Sequence, residues 1–163
     1  MHPDRSVARL PEGGFEIKAA GRTTIRAHPS DGSWRIDGSE GAGDWLLERA
    51  SGEASGFVLL ASAGREEIGR TMPLAGAVEA GLKFLLLDDG RLFRIVRRGT
   101  REGVFELLGW ETPGAYLEAR PAATGWMLVA TAAGGGLVDL TAISILMAAE
   151  ILDTEEPLRS TTT

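Results

Sequence analysis

Aromatic residues recur along the chain, and eight of the nine Phe and Trp residues are followed two positions later by Ile or Leu. Residues two positions apart lie on the same face of a β-strand. The repetition therefore predicts a series of antiparallel strands, each with one apolar face. The eight pairs are Phe15/Ile17, Trp34/Ile36, Trp45/Leu47, Phe57/Leu59, Phe84/Leu86, Phe93/Ile95, Phe105/Leu107 and Trp126/Leu128.

Plainer strand patterns lie between the more widely spaced pairs. They cover Thr23 to Ala27, Glu67 to Thr71 and Ala115 to Arg120, and they bring the predicted number of strands to about eleven. So many strands, separated by Gly-containing turns, predict a long meander that is too large for a small open sheet.

Asp89-Gly90 is the clearest turn in the sequence. An Asp-Gly dipeptide favours a two-residue hairpin loop, because Gly readily adopts a positive φ. With that loop, Leu86 would face Phe93 and Phe84 would face Ile95, which places two of the pairs on one face.

One segment, Asp139 to Asp153, has helical rather than strand character, and Asp139 stands where an N-cap residue is expected. The predicted helix is apolar around nearly its whole circumference, so it must be buried in protein or in a membrane. Its length of roughly 22 Å is short of the ~30 Å hydrocarbon core of a bilayer. The pattern therefore favours a buried core helix over a membrane anchor.

The two ends of the chain lack strand patterning. We therefore predict one domain over residues 13–153, with flexible tails over residues 1–12 and 154–163. The Met1 terminus is followed by no apolar run typical of a secretory signal, and the sequence contains no Cys. Both features predict a cytoplasmic protein.

The order of elements resembles the tubby C-terminal-like superfamily, which includes tubby-like proteins, phospholipid scramblases and LURP-one-related proteins. The resemblance rests on the aromatic-x-aliphatic strands, on Trp126 to Ala130, and on the passage from Gly136 through Met147 to Asp153. It implies a mainly β fold, a closed antiparallel barrel of about 11–12 strands around a buried hydrophobic C-terminal helix.

Two features depart from the scramblase pattern. Scramblases carry an acidic calcium-binding run before the helix, whereas Thr131 to Gly136 contains no carboxylate or side-chain amide. The Cys cluster that accepts lipid anchors in scramblases is also missing. Calcium-dependent scrambling and stable membrane attachment are therefore not expected.

A lipocalin-like barrel is the alternative fold, because Gly32-Ser33-Trp34 and Gly43-Asp44-Trp45 both match the short G-x-W element of that family. In that arrangement the late helix packs outside the barrel and keeps one polar face. The segment Leu140 to Ala149 offers no such face.

The run from Arg91 to Arg101 holds five Arg and no acid in a chain with a net charge of -6. We predict an anion-binding site at Arg94, Arg97, Arg98 and Arg101, for example for a phospholipid headgroup. The alternative is a solvated strand whose charges discourage edge pairing. The acidic net charge argues against nucleic-acid binding.

Catalytic and metal-binding patterns are not recognisable in the sequence. His2 lies in a predicted tail and His28 in a predicted turn, and Gly134 to Gly136 lacks both common phosphate-binding patterns. We therefore predict no enzyme, no metal and no cofactor. The predicted function is a non-catalytic binding or regulatory module for an anionic headgroup or a protein partner; the alternative is a carrier of a small hydrophobic ligand.

Overall fold

The computed structural model describes residues 4–19, 22–38, 44–50, 56–73, 83–98, 103–109, 114–131, 133–136 and 139–160. Within these residues, twelve strands precede a short 3-10 helix, Ala133–Gly136, and a single α-helix, α1, Leu140–Glu155. The strands are β1 Arg5–Arg9, β2 Phe15–Ala19, β3 Arg22–Ser30, β4 Ser33–Gly38, β5 Trp45–Arg49, β6 Phe57–Ala61, β7 Glu67–Pro73, β8 Lys83–Leu87, β9 Leu92–Arg98, β10 Val104–Gly109, β11 Ala115–Ala122 and β12 Gly125–Ala130.

The strands form one closed antiparallel barrel. Each strand pairs with its neighbours along the chain, and β1 pairs with β12 to complete the ring. Closure pairs each of the described strands on both sides, which removes a common route to aggregation. The predicted mainly β, closed meander barrel is confirmed, with the number of strands at the upper bound of the prediction.

The barrel interior is lined by the aromatic-x-aliphatic pairs. Seven of the eight pairs point inward, and in most of them both residues are almost completely buried. This alternation of inward apolar and outward residues is clearest in β2, where Phe15, Ile17 and Ala19 are buried between Glu16 and Lys18. The period-two pattern was therefore a sound guide to the core.

Helix α1 occupies the interior of the barrel. Every residue from Ile143 to Ala149 is at most 1% exposed, so no side of the helix faces solvent over two turns. A barrel of twelve strands encloses more space than its own side chains fill, and the helix fills it. The buried-helix prediction is confirmed, and the arrangement differs from a lipocalin, whose helix lies outside.

The start of α1 differs from the sequence prediction. Asp139 adopts a left-handed backbone (φ 59) and makes no side-chain cap; its carbonyl instead accepts the amide N–H of Ile143. Its carboxylate pairs with the guanidinium of Arg91. Gly134, just before, lies so close to the carbonyl of Tyr116 that a Cβ would be 2.0 Å from that oxygen. The backbone at Gly134 is thus tightly packed, with no room for a side chain.

The β8–β9 hairpin has a different register from the predicted one. Leu87 and Arg91 form the closing pair, the loop has three residues, and Gly90 alone has a positive φ of 92. Leu85 therefore faces Phe93, and the Phe84/Leu86 pair points outward. A change of one residue in loop length reverses the faces of a whole strand.

Both predicted tails contain ordered structure. Residues 5–9 form β1, whose single large apolar residue, Val7, gave too weak a pattern to detect. After α1, residues 156–160 run along the barrel, and Leu158 is only 4% exposed. The predicted tail boundaries at residues 12 and 154 therefore do not match the structure.

Candidate functional site

The four Arg predicted to bind an anion do not share one face. Arg94 points outward from β9, whereas Arg97 lies on the inward side with Phe93 and Ile95, at the end of the strand. The Arg97 guanidinium is 5.6 Å from the ring centroid of Phe105, at the distance of a cation–π contact. The side chain of Arg98 and the whole of Arg101 lie outside the described residues. The anion site stays a prediction.

Arg94 lies among apolar side chains. It is paired across the sheet with Phe84 on one side and with Leu108 on the other. Its side chain is half-buried, and its Nε atom is buried without a hydrogen-bond partner. Leaving a buried donor unsatisfied costs about 1–3 kcal/mol. Arg94 is therefore a donor that an acceptor from outside the chain could satisfy after a small side-chain movement.

The surroundings of Arg94 form a continuous apolar surface on the outside of the barrel. It extends over four adjacent strands, β7 to β10, and all its members are half-buried. We call it the apolar outer face; its residues are Met72, Phe84, Leu86, Leu92, Val96 and Leu108. Large contiguous apolar patches on a protein surface often mark interaction sites.

The outer side of β2 to β4 has the opposite character. Glu16 forms ion pairs with Lys18 at 3.3 Å and with Arg26 at 3.0 Å. His28 and Arg35 both lie against Asp37, at 3.3 Å and 3.5 Å. This charged surface is the ordinary solvated exterior of a barrel.

Arg91, the first Arg of the run from Arg91 to Arg101, is neutralised within the chain. Its guanidinium contacts the carboxylates of Asp89 and Asp139. The Arg91 backbone N–H also donates to Asp89, and together these contacts lower the pKa of Asp89. Arg91 thus links the β8–β9 turn to the start of α1, and its positive charge is paired with these two carboxylates.

A carboxylate is buried inside the barrel near the end of α1. Glu150 is 5% exposed and accepts a hydrogen bond from the Thr71 hydroxyl at 2.6 Å, while the Lys83 ammonium lies 4.0 Å away. Thr71 in turn accepts the Phe57 amide N–H at 2.8 Å. Burial raises the pKa of Glu150, and the contacts with Thr71 and Lys83 oppose that rise only in part.

The end of the barrel at which α1 ends, here the helix-exit end, is organised around Arg49. Its guanidinium binds Asp153 through two hydrogen bonds, of 2.7 and 3.2 Å, and the Asp153 carboxylate raises the pKa of Arg49. It also lies over the rings of Trp34 and Phe57, at 5.6 and 5.2 Å. A third hydrogen bond, of 2.8 Å, reaches the carbonyl of Leu158.

The last carbonyls of α1 are satisfied by β1. Arg9 donates to the carbonyls of Leu152 and Glu156, where a cation also complements the helix dipole. The Trp126 indole N–H donates to the Glu155 carboxylate. These contacts fix the point at which the chain leaves the interior, and they lie beside a small cleft of about 50 Å³ lined in part by Arg9, Gly13 and Pro157.

The described residues provide no obvious catalytic or metal centre. His28 lies in β3 rather than in the predicted turn, and its nearest ionic partner is Asp37. Within the same residues, no group of three or more His, Asp or Glu side chains is close enough to hold a metal ion. His2 lies outside the described part of the chain.

Sequence reasoning missed the cluster of Glu150, Thr71 and Lys83. The signal was present as Glu150, an acid between the apolar residues Ala149 and Ile151 of the helix, but its partners are 79 and 67 positions away and cannot be found from local spacing. It also missed the apolar outer face, because Phe84 to Leu87 are all apolar in the sequence and do not distinguish the inward from the outward side.

None of the α-helical segments among the described residues is long and apolar enough to cross a membrane. No family model matches the chain, and neither a curated protein nor a solved structure shows significant similarity to it.

Proposed function

We propose that this protein is a non-catalytic binding module that docks a protein partner on the apolar outer face, with Arg94 donating to an acceptor of that partner. The observation that carries the proposal is the position of a half-buried Arg with an unsatisfied Nε at the centre of an apolar surface. Arg, Met and aromatic residues are enriched in protein interfaces, and Arg is among the residue types that supply much of the binding energy.

The chemistry of the face favours a protein over an anionic membrane. Arg94 is the one outward Arg of β9 whose side chain the structure describes. The outward residues on the next two strands, β10 and β11, include the acids Glu106 and Glu118. The protein also carries a net charge of -6. A cationic patch that attracts a membrane needs several Lys or Arg without nearby acids.

The enclosed helix supports a role on the outer surface. A carrier of a small hydrophobic ligand, the alternative function, needs space inside the barrel, and α1 fills the interior along its buried length. The closed barrel around a buried helix also accords with our proposal that the chain belongs to the tubby-like group, which the sequence resembles.

Site-specific photo-crosslinking tests the proposed docking face. A benzoylphenylalanine at position 84 replaces an outward Phe, and the same group at Arg35, on the charged outer side of β4, is the matched control. We expect a discrete crosslinked protein adduct in cells from position 84 but not from position 35. The Arg94→Glu variant should abolish the adduct while keeping the circular dichroism spectrum of the wild type.

Co-sedimentation with vesicles separates a protein partner from a membrane. Wild type and Arg94→Glu are compared on neutral and anionic vesicles at low and high salt. Salt-sensitive binding to anionic vesicles that is lost in the variant would assign the face to a headgroup and refute the protein-docking proposal. Equal crosslinking from positions 84 and 35, or none, would also refute it.

A further inference from the structure

A second surface, at the helix-exit end, holds an extended segment of the chain itself. The segment after α1, residues 157–160, lies against the β1–β2 and β3–β4 turns. The Trp34 indole N–H donates to the carbonyl of Arg159 at 3.0 Å, and Gly32 N–H donates to the carbonyl of Ser160 at 3.2 Å. The Arg159 N–H donates to the carbonyl of Gly13 at 3.3 Å.

These contacts recognise the backbone of the segment more than its side chains. Three successive carbonyls of the segment, those of Leu158, Arg159 and Ser160, accept hydrogen bonds from the barrel. The backbone N–H of Arg159 donates one in return. Leu158 is the one fully enclosed side chain, whereas Pro157 and Arg159 are exposed. Main-chain hydrogen bonds with one apolar anchor are a common way to bind an extended peptide.

The recess is shaped for a close backbone approach. A Cβ at Gly13 would lie 2.7 Å from the carbonyl oxygen of Arg159, so a side chain at this position would displace the segment. Trp34, whose N–H points to the segment, has its ring under the guanidinium of Arg49. Arg49 is itself held by Asp153, so its donor to the Leu158 carbonyl is already oriented before a segment binds.

We infer that this recess, the helix-exit groove, is a recognition site for an extended segment of a protein partner that carries Leu or a similar apolar residue as its anchor. Residues 157–160 occupy the groove in cis and compete with that segment. This surface is distinct from the apolar outer face, and the inference does not depend on the function proposed there.

A segment of four residues can leave the groove without unfolding the barrel. A few hydrogen bonds and one buried Leu oppose the conformational entropy of four ordered residues, so the segment belongs to the least stable part of the fold. The tether nevertheless gives it a high effective concentration, and a free peptide must overcome this competition.

The test uses the full chain with the anchor replaced. Leu158→Asp should eject the segment, because a carboxylate cannot enter the apolar recess. Pro157→Asp, at the neighbouring exposed position, introduces the same group and should leave the segment in place. The probe is a fluorescein-labelled, amidated peptide with the sequence of residues 156–160, followed by fluorescence anisotropy.

We expect the Leu158→Asp protein to bind the peptide at least ten-fold more tightly than either the wild type or the Pro157→Asp protein. The same peptide with Asp in place of Leu should not bind to any of them. In the Leu158→Asp protein, the intrinsic emission of Trp34 should change on ejection and recover as peptide is added, since the indole regains its acceptor.

Three results would overturn the inference. A folded Leu158→Asp protein with no measurable peptide binding would show that the groove fits only a tethered segment. Loss of folding in Leu158→Asp, and also in a second variant that ends at Glu156, would make the segment part of the barrel's structure. Concentration-dependent dimerisation of the wild type that Leu158→Asp abolishes would assign the groove to a second copy of the chain.

Discussion

Strands β2 and β8 both place apolar residues in the barrel core but differ on their outer sides. In β2, buried Phe15 and Ile17 alternate with Glu16 and Lys18, which form ion pairs on the surface. In β8, the inward Leu85 and Leu87 alternate with Phe84 and Leu86, and all four are apolar. The register of β2 is therefore encoded in its own side chains, whereas the register of β8 is not.

The difference explains where the hairpin prediction was wrong. Phe84 to Leu87 are all apolar, and the charge of Lys83 on the inward side lies 4.0 Å from the buried Glu150, so the side chains of β8 do not decide the register and the loop does. Leu87 and Arg91 close a three-residue loop in which Gly90 supplies the one positive φ. The Phe84/Leu86 pair consequently remains on the outside, where we propose that a partner docks.

The largest predicted effect concerns the two sides of β8. Leu85→Asp places a carboxylate in the closed interior and should destabilise the protein by more than ~4 kcal/mol, enough to prevent soluble folding. Leu86→Asp, one residue along, should cost at most about 1 kcal/mol, because Leu86 faces outward opposite Arg70. Urea unfolding followed by circular dichroism measures both.

This matched pair decides between the two registers. In the register expected from sequence the effects would be reversed, with Leu86→Asp insoluble and Leu85→Asp tolerated. Equal destabilisation by both substitutions would mean that the outer side of β8 is covered by the chain itself, which would also refute docking on the apolar outer face.

The corresponding contrast in β2 should be smaller. Ile17→Ala removes a fully buried side chain and should cost about 3 kcal/mol, as cavity-forming substitutions of Ile commonly do. Lys18→Ala, at an outward position with 40% side-chain exposure, should change stability by less than about 0.5 kcal/mol. A cost below about 1 kcal/mol for Ile17→Ala would contradict the packed interior around α1.

Much of the fold was predictable because burial is periodic in the sequence. The inward pairs and the apolar circumference of α1 come from local patterns, and they indicate a barrel with a central helix. The helix-exit groove was not predictable, because it joins Gly13, Trp34 and Arg49 to residues beyond position 156. The contact of the Asp139 side chain was likewise not predictable, because the carboxylate binds Arg91, 48 residues away, instead of capping α1.

The third prediction concerns the single Lys of β8, which faces the buried Glu150. Burial raises the folded-state pKa of Glu150, so the folded protein binds its proton more tightly than the unfolded chain does. Stability should therefore fall as the pH rises from about 4.5, the unfolded-state pKa, and should level off above the folded-state pKa. Glu150→Gln keeps an acceptor for Thr71 and cannot ionise, so it should lose this dependence.

Urea denaturation between pH 4 and pH 8 measures the difference between wild type and Glu150→Gln. Lys83→Met is the informative second variant, since removal of the ammonium 4.0 Å from the carboxylate should make the total fall in stability larger. Arg49 and Asp153, the other charged groups near Glu150, are unchanged in both variants. A wild type that gains stability over Glu150→Gln with rising pH would show that Lys83 outweighs burial.

The smallest predicted effect lies on the outer side of β2, in the ion pair between Glu16 and Arg26. Burial raises the pKa of Glu16, but hydrogen bonds and charges from Arg26 and Lys18 outweigh it and leave the pKa lowered. The pair therefore contributes stability above the unfolded-state pKa of Glu16, and this contribution is lost as the pH falls through the folded-state pKa. Because Arg26 is 44% exposed, Arg26→Ala should cost only about 0.5 kcal/mol at pH 7.

The pH dependence distinguishes this ion pair from simple packing. The cost of Arg26→Ala should be smaller at about pH 2 than at pH 7, because the Glu16 carboxyl gains a proton as the pH falls through its lowered pKa, and it should shrink in 1 M salt, where the Debye length is about 3 Å. Urea denaturation at the two pH values provides the measurement. A cost that persists at low pH would mean that the aliphatic part of Arg26 packs on β2, and the outer side of β2 would then resemble that of β8 more closely than its charges indicate.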